Sequence, residues 1–308
     1  MPTRPLRVVV AAEESAGVQV LRGLGALRHP PEIVAVLTTP RNQGQRRPIV
    51  FETALALGLE TWPADSVTNP EFGERLRKSD VDLLLNVHSL FRIHRDVLEA
   101  PRIGSFNLHP GPLPGYAGLN VPSWAIYNGE RSHAVTLHWM DAGIDTGPIA
   151  YDQVFELAEH DTGLAVSGKC VRRGVPLVLQ LLDVAAAHPE EIPHIRQDLA
   201  KRRYFPKGPP DAGRLDWSRS AGEIERLVRA ADYAPFPSPW GHPQAELSGH
   251  RVGIAKASLT GAPAAAPPGT VRDVTDAGAL VAARDELILV QRLWLEGHYL
   301  EPRRLLGQ

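Results

Sequence analysis

Four short apolar runs constrain this chain more than any other feature. LRVVVAA (6–12), EIVAVLTT (32–39), VDLLLNV (81–87) and IGSFNLH (103–109) are rich in Val, Leu and Ile. Helical patterns lie between them, one following Ala12 through Leu27 and one, PIVFETALALGL, over 48–59. Strands that are apolar on both faces and alternate with helices belong to a parallel sheet covered on both sides. Ligands of such a sheet sit at the carboxyl ends of its strands. HAVTLHWM (133–140) reads as a later strand, and a Leu-, Val- and Ala-rich helix is expected from about Gly163 to Ala187.

The pattern changes near Pro206. KGPPDAGRLDW is a turn-rich connection, and SAGE (220–223) is a capping box that opens a short helix to about Ala231. HRVGIAKASL, GTVRDV, ALVAA and ELILVQRLWL then read as strands, with the Pro/Ala stretch 262–269 between the first two. The expected organisation is a catalytic domain over 1–205, a linker and short helix over 206–234, and a small β-barrel-like domain over 235–308.

Length and composition fit two domains of moderate charge. The chain has 308 residues, 43% hydrophobic and 22% charged, enough to bury a sizeable core. A net charge of −2 gives no general attraction to nucleic acid or to an anionic membrane. Cys170 is the only cysteine, which excludes an internal disulfide and a cysteine-based zinc site. With no signal-peptide pattern and no apolar run of membrane-spanning length, the expected location is the cytoplasm.

The chemistry-bearing residues follow the fourth run. FNLHPGPLPGYAGLN (106–120) holds three Pro and three Gly in fifteen residues, so the strand must end in a stiff, irregular loop. Asn107 and His109 are two apart and leave the same face of that strand. Thirty residues on, MDAGIDTGPI (140–149) carries Asp141 and Asp145 with Gly143 and Gly147. An Asn that donates to an oxyanion, a His that accepts a proton and an Asp that orients the His make an acyl-transfer site. The bland alternative is a strand-end His and a turn-forming Asp. The first βα turn, AAEESAGVQV, lacks a dinucleotide fingerprint, and no Walker, H-E-x-x-H or G-x-S-x-G motif is present. No metal is expected.

Asn107-Leu-His109 with its proline-rich loop, followed by Asp141-Ala-Gly-Ile-Asp145-Thr-Gly147, resembles the paired motif of the folate-dependent formyltransferases. GRLDW (213–217) and the helix after it resemble the segment linking the two domains of the methionyl-tRNA enzyme of that family. The resemblance covers most of the chain. It implies a Rossmann-like, mostly parallel sheet followed by an OB-like barrel. It implies N10-formyltetrahydrofolate as co-substrate and formyl transfer to an amine. Asn107, His109 and Asp145 match the family's catalytic residues. The pterin is expected between 88–93 and 141–145, with Leu90, Arg92, Ile93, Asp141 and Gly143 as cofactor contacts.

The acceptor is expected to be a small-molecule amine or hydroxylamine: siderophore-type hydroxyornithine first, then an amino sugar or a carrier-bound amino acid. The loop TTPRNQGQRRPIV is short and carries only Arg41, Arg46 and Arg47, where the methionyl-tRNA enzymes usually have a longer basic loop. Residues 206–308 hold twelve Lys/Arg and twelve Asp/Glu, so no positive field favours RNA. HPGPLPGYAGLN and LHWMDAGIDTGPI also differ from the HASLLP and MDEGLDTG forms common in the tRNA enzymes. The basic clusters VRR (171–173) and KRR (201–203) read as solvated helix faces. Methionyl-tRNA remains the alternative acceptor. A formyltetrahydrofolate hydrolase is set aside because such enzymes usually carry an extra N-terminal domain and the first strand here begins at Leu6. No membrane partner is expected, and the chain is expected to act as a monomer or homodimer.

Overall fold

The computed structural model describes residues 4–40 and 49–307. Arg41, Arg46, Arg47 and Pro48 lie outside the described residues, so the basic-loop expectation concerns a segment not described. The chain divides into two compact units. One comprises Met1–Ala117, Ala134–Phe155 and Lys169–Tyr204; the other comprises Gly118–His133, Glu156–Gly168 and Phe205–Gln308.

The first unit is built on β1 (Arg7–Ala12), β2 (Glu32–Thr38), β3 (Thr61–Pro63), β4 (Leu83–Val87), β5 (Gly104–His109), β6 (Ser132–Trp139) and β7 (Ile149–Glu156), where β6 begins in the second unit. Their order is β3-β2-β1-β4-β5-β6-β7. The β3-β2-β1-β4-β5 part is parallel, and β6 runs antiparallel to β5. β1 and β4 are buried on both faces apart from Arg7, which explains why their sequences are apolar throughout. Helices α1 (Ser15–Gly23), α2 (Ile49–Ala56), α3 (Phe72–Lys78) and α4 (Arg95–Leu98) fill the crossovers. One core layer joins Val9, Leu37, Trp62, Phe72, Leu76, Leu84 and Val97.

The sequence reading captured β1, β2, β4, β5 and β6 and passed over β3 and β7. β3 has three residues and β7 exposes Asp152, Gln153 and Val154, so neither offers a full apolar run. The long helix forms over Gly163–Ala187, as the pattern indicated.

In the second unit the helix Ala221–Ala230 starts at the expected capping box. Glu223 N donates to Ser220 Oγ, and Ser220 N donates to Glu223 Oε2 at 3.0 Å. The strands Gln244–Leu247, His250–Pro263, Glu286–Leu295, Gly278–Ala282 and Val271–Thr275 lie in that order in one sheet, and His298–Leu300 pairs with Glu286–Leu295. All its resolved pairings are antiparallel. The β-rich second domain is therefore a six-stranded antiparallel sheet. Among the described residues no helix is long and apolar enough to cross a membrane.

Candidate active site

The parallel strands β1, β4 and β5 end together, because Ala12 is in register with Val87 and Val87 with Leu108. Asn107 and His109 occupy the end of β5. Asn107 lies directly opposite His138 on β6, and His109 opposite Thr136. That register puts Asn107, His109, Thr136 and His138 on one face, while Phe106 and Leu108 are buried on the other.

The loop after His109 doubles back onto it. His109 Nε2 lies 2.6 Å from the Tyr116 carbonyl oxygen. A carbonyl only accepts, so Nε2 carries the hydrogen and Nδ1 holds the lone pair of the neutral ring. Thr136 anchors the loop by donating from Oγ1 to Gly111 O at 2.7 Å and accepting from Leu113 N at 3.3 Å. The prolines thus hold a hydrogen-bond acceptor against a buried imidazole. His109 is 3% exposed, and burial pushes its pKa below the ordinary value; Asp145 and the Tyr116 carbonyl oppose that shift. The ring is neutral at pH 7, as a proton acceptor must be.

Asp145 arrives from the loop between β6 and β7. Its Oδ2 lies 3.6 Å from His109 Nδ1, and its Oδ1 lies 3.6 Å from His138 Nε2 and 3.5 Å from Asn107 Nδ2. These separations exceed good hydrogen-bond length, as contacts of an unliganded catalytic site often do before they tighten on the substrate. Asp145 has φ 57°, a left-handed conformation that costs a non-glycine residue about 1–2 kcal/mol. Its neighbours hold it there. Gln197 Nε2 donates to Asp145 O at 3.0 Å and to Gly147 O at 2.6 Å, and Arg202 Nη2 donates to Ile144 O at 2.9 Å. Asp141 Oδ1 accepts from Gly143 N at 3.0 Å and Thr146 Oγ1 at 2.5 Å. Any side chain at Gly147 would collide with Trp139 O, so this turn requires glycine.

The expected cofactor residues divide. Asp141 and Gly143 line a depression of about 470 Å³ together with Arg95, Leu98, Glu99, Met140 and Ala142. Leu90 and Arg92 are exposed on the loop after β4, whereas Ile93 is packed into the core layer and offers only its backbone. The depression pairs apolar Leu98 and Met140 with the polar edge of residues 141–143, which suits a flat, hydrogen-bonding heterocycle.

Sequence reading missed His138 and Gln197 and misread Arg202 and Arg203. Nothing local marks His138, yet its register with Asn107 brings it into the site. Gln197 and Arg202 lie about fifty residues from the loop they clamp, beyond the reach of local pattern. Arg202 and Arg203 lie just beyond the short helical turn Leu199–Lys201 and reach the site loops rather than only solvent. Arg202 binds Ile144 O, and Arg203 Nε donates to Gly115 O at 3.2 Å with its guanidinium over the Tyr116 ring. Among the described residues no group of acids, His and Cys could hold a metal ion.

Residues 6–179 match the "Formyl transferase" family model, and residues 209–302 match "Formyl transferase, C-terminal domain". A curated relative, methionyl-tRNA formyltransferase of Pseudomonas fluorescens, is 31% identical over 300 residues, covering 96% of this chain and 90% of that protein. An N-formyltransferase from Helicobacter canadensis, solved with folinic acid and dTDP-3-aminofucose, superposes with a TM-score of 0.67 at 19% identity, over 92% of this chain and 98% of that one. HypX from Aquifex aeolicus, solved with tetrahydrofolic acid, gives 0.66 at 19% identity over 99% of this chain. The chain spans about half of HypX, 47% of its length.

Proposed function

Because the chain belongs to the formyl transferase family, we propose that it moves a formyl group from N10-formyltetrahydrofolate to the amine or hydroxylamine of a small molecule. The observation that carries this reading is the ring formed by Asn107, neutral buried His109 and Asp145 at the ends of β5 and β6. When bound, the folate supplies an activated formyl carbonyl.

Asn107 donates an amide N–H to the formyl oxygen as it becomes an oxyanion. His109 takes the proton released by the attacking amine on Nδ1, the ring nitrogen that holds its lone pair. Asp145 Oδ2 faces that nitrogen and stabilises the imidazolium. The new bond is amine nitrogen to formyl carbon, and the broken one is N10 to formyl carbon. The proton on His109 is then available to the departing nitrogen. No side-chain nucleophile takes part, so transfer is direct. In this reading the depression beside Asp141 and Gly143 receives the pterin, and Leu90, Arg92 and the backbone of Ile93 are further cofactor contacts.

The small-molecule reading draws on charge. Residues 206–308 hold twelve Lys/Arg against twelve Asp/Glu and so offer no net positive field for the phosphates of a tRNA. Within that class, hydroxyornithine of siderophore assembly comes first, then amino sugars and carrier-bound amino acids. The cytoplasm is the compartment of this reading. Methionyl-tRNA is the second reading, favoured by relatives 31% identical over nearly the whole chain.

The test is turnover of N10-formyltetrahydrofolate with and without added amine. Consumption that requires amine and yields a formamide is the expected result. Consumption by water alone identifies a hydrolase and removes this proposal.

A further inference from the structure

We propose that His138 is a positioning residue that sets which end of the Asn107 amide faces the reacting carbonyl, a role that rests on the transferase reading above. Its ring is 2% exposed and lies opposite Asn107 across the β5–β6 ladder. His138 Nδ1 is 2.6 Å from the Trp139 carbonyl oxygen, which requires a hydrogen on Nδ1. Nε2 of the neutral ring is therefore a bare lone pair, 3.1 Å from Asn107 Nδ2. Only the NH2 end of an amide can face it, because the amide oxygen there would set two acceptors against each other.

One hydrogen of Asn107 is held by His138. The other meets Asp145 Oδ1 at 3.5 Å, too far to hold it well, and is the one released to the formyl oxygen. Without the His138 lone pair the amide can turn over and point its oxygen at the developing oxyanion, replacing attraction with repulsion. The chain thus fixes a tautomer through a backbone carbonyl, and the tautomer fixes an amide.

His138→Phe keeps a planar ring and removes the lone pair, while His138→Gln restores an acceptor oxygen. His138→Phe is expected to lower kcat about ten- to a hundredfold with KM for folate little changed, and His138→Gln to recover much of the loss. In an Asn107→Ala background His138→Phe is expected to cost nothing further, because the residue acts through that amide. An independent readout uses the unliganded protein labelled with 15N. The Asn107 side-chain NH2 signals, identified by their loss in Asn107→Ala, are expected to be separate and slowly exchanging, and to collapse toward solvent-like values in His138→Phe. Equal losses from His138→Phe with and without Asn107, or NH2 signals unmoved by it, overturn the inference. A wild-type chain that transfers no formyl group, yet whose Asn107 signals depend on His138, overturns the transferase reading and leaves the amide lock standing.

Discussion

At the residue scale the account rests on His109. Its Nε2–H is committed to the Tyr116 carbonyl, so its basic atom is Nδ1 beside Asp145. His109→Ala is expected to lower kcat by about two to four orders of magnitude with little change in folate affinity, measured by steady-state kinetics and folate titration. Asp145→Asn keeps a turn-compatible side chain, so a merely turn-forming Asp predicts a small effect. We expect a severe loss of rate with a melting temperature within a few degrees of wild type; an unchanged rate removes the carboxylate from the mechanism. Burial depresses the pKa of His109 below 6.5, so the unfolded chain binds a proton that the native one refuses. This contribution to stability is complete above pH 6.5 and is lost as pH falls from 6.5 toward the depressed value. Melting curves between about pH 5 and pH 8 should therefore show a steeper acid loss in wild type than in His109→Asn.

At the element scale the site depends on two loops held by distant hydrogen bonds. The loop after β5 is pinned by Thr136, and the Asp145 turn by Gln197 and Arg202. Gln197→Ala removes two donated bonds from a left-handed turn and is expected to cost about 1–3 kcal/mol of stability and roughly tenfold in kcat, with faster amide exchange over 144–147. Gln197→Glu, which cannot donate, should behave alike; wild-type kinetics in both would mean that the turn holds itself.

Legibility in the sequence follows the same division. Asn107 and His109 were readable because a strand fixes the face of residues two apart, and Asp145 because glycines mark its turn. His138 was readable only with the pairing register, and Gln197 and Arg202 only with the fold, since nothing local joins 197–202 to 144–147. Ile93 was expected at the cofactor from its place in the loop after β4, but its side chain belongs to the core layer. The second domain's strands were legible from alternation, whereas the edge strands Gln244–Leu247 and His298–Leu300 are too short to announce themselves.

At the scale of the whole molecule the question is which amine is formylated. Residues 206–308 balance their charges. A tRNA acceptor needs several phosphates neutralised, and its affinity then falls by orders of magnitude between low and moderate salt. No gel shift of initiator methionyl-tRNA is expected at physiological ionic strength. The most direct measurement offers the protein N10-formyltetrahydrofolate labelled in the formyl carbon, with initiator methionyl-tRNA, hydroxyornithine, amino sugars and carrier-bound amino acids in competition. The account predicts label in a small-molecule amine, at a rate nearly independent of salt and abolished by His109→Ala. Label confined to methionyl-tRNA, with steep salt dependence, would contradict it.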